Sequence, residues 1–148
     1  MSLTSPQLVT LRALLDRLVP ADDFPGALAA GTDHFIVALL DGDAAGEAPG
    51  IALGLDQLDA EAVARHGAEG TFGSLTAGQQ DALLLALERG ETATPWPAPL
   101  VATAFFNRMV TLAAEGFYAD PANGGNRDAA SWRMVGYDPR LPPDPSAP

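Results

Sequence analysis

Residues 116–137 read GFYADPANGGNRDAASWRMVGY and depart most from the alanine- and leucine-rich background of the chain. The Asp120-Pro121 step restricts the backbone to an extended or turn conformation, because a residue before proline disfavours the helical region. Gly124 and Gly125 permit positive φ angles that a side chain would disfavour. The stretch therefore predicts an ordered loop rather than a linker.

Polar and aromatic side chains in the same stretch can fix its shape. Asn123, Asn126 and Asp128 are placed to bond nearby backbone amides as Asx turns. We also expect Asp128 to cap one or two helical turns directly after it. Trp132 and Tyr137 supply large amphipathic surfaces that can hold the ends of the loop.

The rest of the chain predicts helices. Five are expected, at about residues 6–19, 27–40, 55–67, 77–89 and 100–115, from apolar residues at three- and four-residue spacing. Ser5 is the expected N-cap of the first helix, and Thr76 with Gln79 forms a capping box for the fourth. Gly31 would weaken the second helix, because glycine has a low helix propensity. Close packing of two helices would explain a glycine at this position.

Two segments lie outside the predicted helices. Residues 41–50 are rich in glycine and small polar residues, and we expect a mobile loop there. Prolines at alternate positions 95, 97 and 99 predict a stiff connector that presents Trp96.

With 148 residues and 47% hydrophobic composition, the chain can bury a core without a disulfide or a metal. We predict an all-α fold, a bundle of about five helices in a single domain over residues 1–148. The ordered core would cover about residues 5–139, and the proline-rich residues 140–148 would form a flexible tail.

Charge and composition exclude several partners and sites. The net charge is −11, and all eight basic residues are arginines, which disfavours binding to nucleic acid or an anionic membrane. Cysteine is absent, so neither thiolate metal sites nor thiol nucleophiles are available. No apolar run approaches membrane-spanning length and no signal segment is visible, so we expect a cytoplasmic protein, or a periplasmic or envelope protein if a leader has been removed.

The sequence encodes no visible catalytic or cofactor site. His34 and His66 lack metal-ligand spacing, no Gly-x-Ser-x-Gly elbow occurs, and Gly124-Gly125-Asn126 is not a dinucleotide fingerprint. The oxygen-bearing side chains between Asp120 and Asp128 leave one alternative open, a helical domain that binds Ca²⁺ or a small ligand on its own.

Three segments resemble the gluconate 2-dehydrogenase subunit 3 family, the small subunits of flavin-dependent sugar and polyol dehydrogenases. Residues 14–27 (LLDRLVPADDFPGA) are similar to its first helix and following turn. Residues 72–80 (FGSLTAGQQ) resemble its middle segment. Residues 116–137 resemble its Gly-(Phe)-Tyr-x-Asp-Pro-x-x-Gly-Gly-Asn signature and the Trp and Gly-Tyr that follow, almost position for position.

The resemblance implies a non-catalytic accessory or assembly subunit. Its partner would be a large FAD-dependent dehydrogenase of the glucose-methanol-choline type that oxidises a sugar, sugar acid or polyol, in some complexes together with a cytochrome c subunit. The FAD would belong to the partner, and this chain would bind no cofactor. The family's twin-arginine leader is not matched, since no Arg-Arg pair precedes the first helix.

Aromatic and arginine side chains are enriched at interface hot spots, which makes the 116–137 loop the predicted partner surface. The residues expected to contact the partner are Tyr118, Asp120, Asn126, Arg127, Trp132, Arg133 and Tyr137. The residues expected to shape the loop are Pro121, Gly124, Gly125 and Asp128.

Overall fold

The computed structural model describes residues 2–67 and 70–136, and this part of the chain contains helices and no strand. The α-helices are α1 (Ser5–Leu18), α2 (Thr32–Asp41), α3 (Ala48–His66), α4 (Ala77–Glu88), α5 (Ala102–Tyr118) and α6 (Ala130–Val135). Short 3-10 helices cover Ala45–Glu47, Phe72–Ser74, Pro121–Asn123 and Arg127–Ala129. The all-α prediction is confirmed, while Tyr137 and the predicted tail at 140–148 lie outside the described residues.

Helix α5 lies at the centre of the bundle and contacts each of the other five α-helices. Its inward side chains Phe105, Met109 and Leu112 are buried. They join a continuous core formed by apolar side chains of α1 to α4. The broad apolar surface of this helix suits its central position.

Helices α3 and α5 approach closely because α3 has a glycine where they meet. A Cβ at Gly54 would overlap the ring of Phe105. At Gly50, one turn earlier on the same helix, an added Cβ would meet nothing within 4 Å. Substitution of Gly54 therefore tests the packing against Phe105, whereas substitution of Gly50 tests helix propensity alone.

Gly54→Ala is expected to lower the free energy of unfolding by about 1–3 kcal/mol, because the ring of Phe105 must move out of a packed core. Gly50→Ala is the matched control and should be neutral or stabilising by up to about 1 kcal/mol. Urea denaturation of both variants measures the difference. Equal effects of the two substitutions would contradict the close contact.

The carboxylate of Asp59 joins three elements. Its oxygens accept hydrogen bonds from the Thr10 hydroxyl on α1 at 2.9 Å and from the backbone amide of Phe72 at 2.9 Å. Phe72 is itself fully buried. One side chain of α3 thus fixes both α1 and the 3-10 turn before α4.

Helix α1 is capped by Thr4, so the prediction of Ser5 is wrong by one residue. The Gln7 amide donates to the Thr4 hydroxyl at 3.4 Å, and the Gln7 side chain accepts from the Thr4 amide at 2.9 Å. This reciprocal pair is a capping box, and Ser5 becomes the first helical residue. The predicted Thr76–Gln79 box is confirmed, with distances of 3.2 Å and 3.0 Å.

Helix α2 begins five residues later than predicted. Gly31 adopts the left-handed conformation, with φ +75°, and is the N-cap of α2 rather than part of its interior. Residues 26–31 form turns, in which the Ala27 amide donates to the Val19 carbonyl at 2.9 Å. The prediction failed because the small residues there were assigned helix propensity, whereas the left-handed glycine ends the turn segment.

The predicted mobile loop at 41–50 is also wrong. A 3-10 helix covers Ala45–Glu47, and α3 begins at Ala48 with Pro49 in its first turn, where proline needs no partner for its nitrogen. Glu47 forms a bidentate ion pair with Arg108 of α5, with N–O distances of 2.7 Å and 2.8 Å. This pair ties the segment to the central helix.

The proline connector turns inward because of a buried glutamate. Glu61 of α3 is fully buried, and its carboxylate accepts hydrogen bonds from the amides of Ala93 and Thr94 at 2.9 Å and 3.0 Å. The Trp96 indole donates at 3.1 Å and the Arg65 guanidinium at 3.2 Å. Trp96 is therefore half-buried, and the expectation that the connector presents it outward is wrong.

Burial alone would raise the pKa of the Glu61 carboxyl, but the amides of Ala93 and Thr94, with Trp96 and Arg65, together lower its pKa below the ordinary value. A depressed pKa in the folded state stabilises the fold above the unfolded-state pKa. That contribution is lost as the pH falls through the folded-state pKa.

Glu61→Gln is expected to lower the free energy of unfolding at neutral pH by about 2–4 kcal/mol, because an amide group cannot accept all of these donors. The wild type should lose stability as the pH falls from about 5 to about 3, and the variant should show a smaller loss over that range. Urea denaturation across pH measures both, with exposed Glu88→Gln as the control. A variant with the pH dependence of the wild type would contradict this role.

Candidate functional site

The loop after α5 is built around the side chain of Asn126, which is fully buried. Its amide nitrogen donates to the Ala119 carbonyl at 2.8 Å. Its amide oxygen accepts from the backbone amide of Ser131 at 2.8 Å and from the Ser131 hydroxyl at 2.7 Å. One side chain therefore fastens the end of α5 to the first turn of α6.

Asn126 also suits its backbone conformation. It has φ 47° and ψ 46°, in the left-handed region that asparagine tolerates better than most residues. Asp128 and Ala129 follow with positive φ of 57° and 54°. Since isolated left-handed residues cost free energy, the buried hydrogen bonds of Asn126 are what maintain this path of the chain.

The prediction that Asp128 caps the following helical turns is wrong. The N-cap of α6 is Ala129, whose methyl side chain cannot accept a hydrogen bond. Instead, the side-chain oxygen of Asn126 accepts a hydrogen bond from the Ser131 amide in the first turn of α6. The acceptor thus lies five residues before the amide that it satisfies. Asp128 points out and is exposed.

Glycine is required at the two loop positions 124 and 125 for different reasons. Gly124 has φ +90°, as predicted, and closes the 3-10 turn that begins at Pro121. Gly125 does not have positive φ, so that part of the prediction is wrong. It is needed for close approach, because an added Cβ would overlap the carbonyl oxygen of Gly116 and lie 3.1 Å from the Cβ of Phe35.

The loop packs against the start of α2. The Arg127 amide donates to the Ala30 carbonyl at 2.7 Å. A Cβ at Gly31 would lie 3.1 Å from the Arg127 guanidinium and 3.2 Å from the Gly124 carbonyl oxygen. The turn at 20–31 and the loop at 116–136, far apart in sequence, thus form one end of the bundle.

Most of the predicted contact residues lie on the surface of this end. Tyr118 is 50% exposed and stacks edge-on against the buried Phe117, with ring centroids 5.0 Å apart. Arg127 and Arg133 are exposed, and Trp132 is half-buried.

Asp120 and Asn126 are engaged in shaping the loop. Asp120 is exposed and forms an Asx turn, accepting from the Ala122 amide at 2.9 Å. Asn126 lies inside the loop rather than on its surface, and Pro121 is half-buried in the first turn after Asp120. The sequence pattern identified Asn126 but did not show that its side chain points inward.

The loop surface is electrically balanced. Residues 116–136 contain two aspartates and two arginines, Asp120, Asp128, Arg127 and Arg133, in a chain whose net charge is −11. The site therefore presents aromatic and neutral polar surface together with charges of both signs. Such a surface is suited to contact with another protein.

Two side-chain oxygens of the loop, on Asp120 and Asn126, already accept hydrogen bonds. Asn126 Oδ1 accepts two hydrogen bonds in a buried position, so a cation could reach it only by breaking them. Within residues 2–67 and 70–136, no three His, Cys, Asp or Glu side chains come together as a metal site. No helix in that part of the chain is long and apolar enough to cross a membrane.

The fold and this composite end define a small helical protein with an ordered surface loop. The family model for gluconate 2-dehydrogenase subunit 3 matches residues 5–139. The chain belongs to the gluconate 2-dehydrogenase subunit 3 family, small subunits of dehydrogenase complexes, which confirms the resemblance. No curated protein and no solved structure matches it.

Asn126→Ala is expected to lower the free energy of unfolding by about 2–4 kcal/mol, or to unfold the loop locally, because Ser131 and Ala119 lose their buried partner. Asn123→Ala, an exposed position in the same loop, is the control and should change stability by less than about 0.5 kcal/mol. Hydrogen exchange over residues 119–131 and urea denaturation report the two effects. Similar protection in both variants would show that Asn126 does not hold the loop.

Proposed function

We propose that this chain is a non-catalytic accessory subunit that binds the large FAD-dependent subunit of a sugar, sugar-acid or polyol dehydrogenase. Family membership supports the assignment to a dehydrogenase complex. The flavin and the oxidation chemistry belong to the large subunit, which we propose to be of the glucose-methanol-choline type. A cytochrome c subunit completes the complex where one is present.

The observation that carries the proposal is the rigid construction of the 116–136 loop. Its conformation is held by buried hydrogen bonds of Asn126 and by close contacts at Gly125, so little conformational entropy is lost when a partner binds. Tyr118 and Arg127 project from it and are exposed. These residue types dominate binding energy in protein interfaces.

The proposed contact surface is therefore Tyr118, Arg127, Trp132 and Arg133, with Asp120 at its rim. Asn126 supports this surface from beneath. Tyr137 remains part of the proposal as the next aromatic residue along the chain.

The test is co-expression of the tagged chain with an FAD-containing dehydrogenase large subunit from the same organism. The double variant Tyr118→Ala, Arg127→Ala is expected to weaken binding by about tenfold or more, since it removes an aromatic and an arginine anchor and leaves the buried hydrogen bonds of Asn126 in place. Leu85→Ala on α4, which is 44% exposed, is the control and should bind as the wild type does.

Affinity is measured by titrating the purified large subunit, and circular dichroism confirms that each variant is folded. Wild-type affinity in the double variant would remove the loop from the interface. Failure of the wild-type chain to bind the large subunit would refute the accessory role itself.

A further inference from the structure

Helices α1 and α2 run antiparallel and leave a groove between them. The Ser2 hydroxyl donates to the Leu40 carbonyl at 2.9 Å, which places the start of α1 beside the end of α2. The Ala27 amide donates to the Val19 carbonyl, which places the end of α1 beside the segment that leads into α2. The groove therefore follows the length of both helices.

Two adjoining cavities of about 470 Å³ and 200 Å³ make up this groove, and both are lined by Val9 and Arg12. Its apolar side chains are Leu8, Val9, Ala13, Leu28, Val37 and Ala38. Val9 is 61% exposed, as much as any large apolar side chain in the described residues. An apolar floor of this kind, open to solvent along two helices, has the form of a helix-binding groove.

Both ends of the groove are negative. Asp16 lies in the last turn of α1 and Asp41 is the last residue of α2. Each carboxylate adds to the negative end of its own helix dipole, and that of Asp41 also accepts hydrogen bonds from the Ser2 amide and hydroxyl. In the middle, Arg12 is paired with Asp33 at 3.5 Å, so its charge is offset locally.

We infer that the α1–α2 groove receives a basic amphipathic helix of the dehydrogenase large subunit, with its apolar face on Val9 and a Lys or Arg near Asp16 and Asp41. This inference rests on the proposed function for the identity of the partner, and it adds a second contact surface to the loop. The span from Val9 to Asp16 is about 10 Å, so about two turns of a helix fill the groove.

The negative charge of this chain disfavours two other possible occupants of the groove, a second copy of the chain and its own C-terminal segment. A second copy of this chain would bring another −11 to an acidic surface. Residues 137–148 contain two aspartates and one arginine, so the chain's own C-terminal segment does not complement the groove. A cationic segment from a different protein does.

The absence of cysteine gives a direct test, because Val9→Cys introduces the only thiol in the chain. Val110→Cys is the matched control, since Val110 is also an exposed valine in a helix but lies on α5, outside the groove. Maleimide labelling is timed for the free chain and for its complex with the large subunit. Labelling at position 9 is expected to slow by about tenfold or more in the complex, because contact excludes solvent and reagent, while position 110 slows by less than about twofold.

The charge requirement is tested separately. Asp16→Lys should weaken binding of the large subunit by about tenfold at low salt and by less at high salt, since screening reduces the repulsion. Glu88→Lys makes the same change in net charge on α4 and should leave the affinity within about twofold of wild type.

The outcomes separate the two proposals. Slow labelling at position 9 in the complex, with fast labelling in the free chain, supports the groove as a contact. A complex that forms while position 9 labels at its free rate overturns the groove inference and leaves the accessory role intact. No complex with the wild-type chain overturns both, and protection of position 9 in the free chain assigns the groove to self-association or to the chain's own tail.

Discussion

The close approach of the 116–136 loop to the start of α2 is the constraint on which the candidate functional end of the molecule depends. Gly116 and Gly125 lie so near each other that a side chain on Gly125 would displace the carbonyl oxygen of Gly116. A Cβ on Gly116 would in turn meet Thr32 of α2 at 2.7 Å. Only with these two glycines can the Arg127 amide reach the Ala30 carbonyl and join the two distant segments.

Two buried polar side chains then hold the irregular parts of the chain. Asn126 fixes the loop after α5, and Glu61 fixes the connector before it. Each is fully buried and each receives several hydrogen bonds, which compensates the cost of removing a polar group from water. The helical core positions these anchors, and the anchors give the non-helical segments a defined shape.

The sequence predicted the regular part of this fold well. Apolar spacing identified α1, α4 and the central α5, and the Thr76–Gln79 capping box was found because both partners lie within one turn. Helix starts were less accurate where a glycine was decisive. Helix propensity predicts that Gly31 is a weak point inside a helix, because propensity does not show that its φ is +75° and that α2 begins after it.

The residue types identify the candidate loop, but they do not show which side chains hold it together. Whether Asn126 or Asp128 caps α6 depends on which side chain points inward, and that is decided by contacts with Ala119 and Ser131 across the loop. Glu61 was missed for the same reason. Its partners at residues 93–96 are more than 30 positions away, and no local pattern marks a glutamate as buried.

The partner contact proposed for the 116–136 loop requires that the loop is already formed in the isolated chain. Hydrogen exchange of the free chain, resolved to the amides of Arg127 and Ser131, tests it most directly. Both amides donate to buried or backbone acceptors, so the account predicts exchange about as slow as that of amides in α5, with little further slowing when the large subunit binds. Rapid exchange of these two amides in the free chain, with protection only in the complex, would show that the loop folds on binding and would contradict the account.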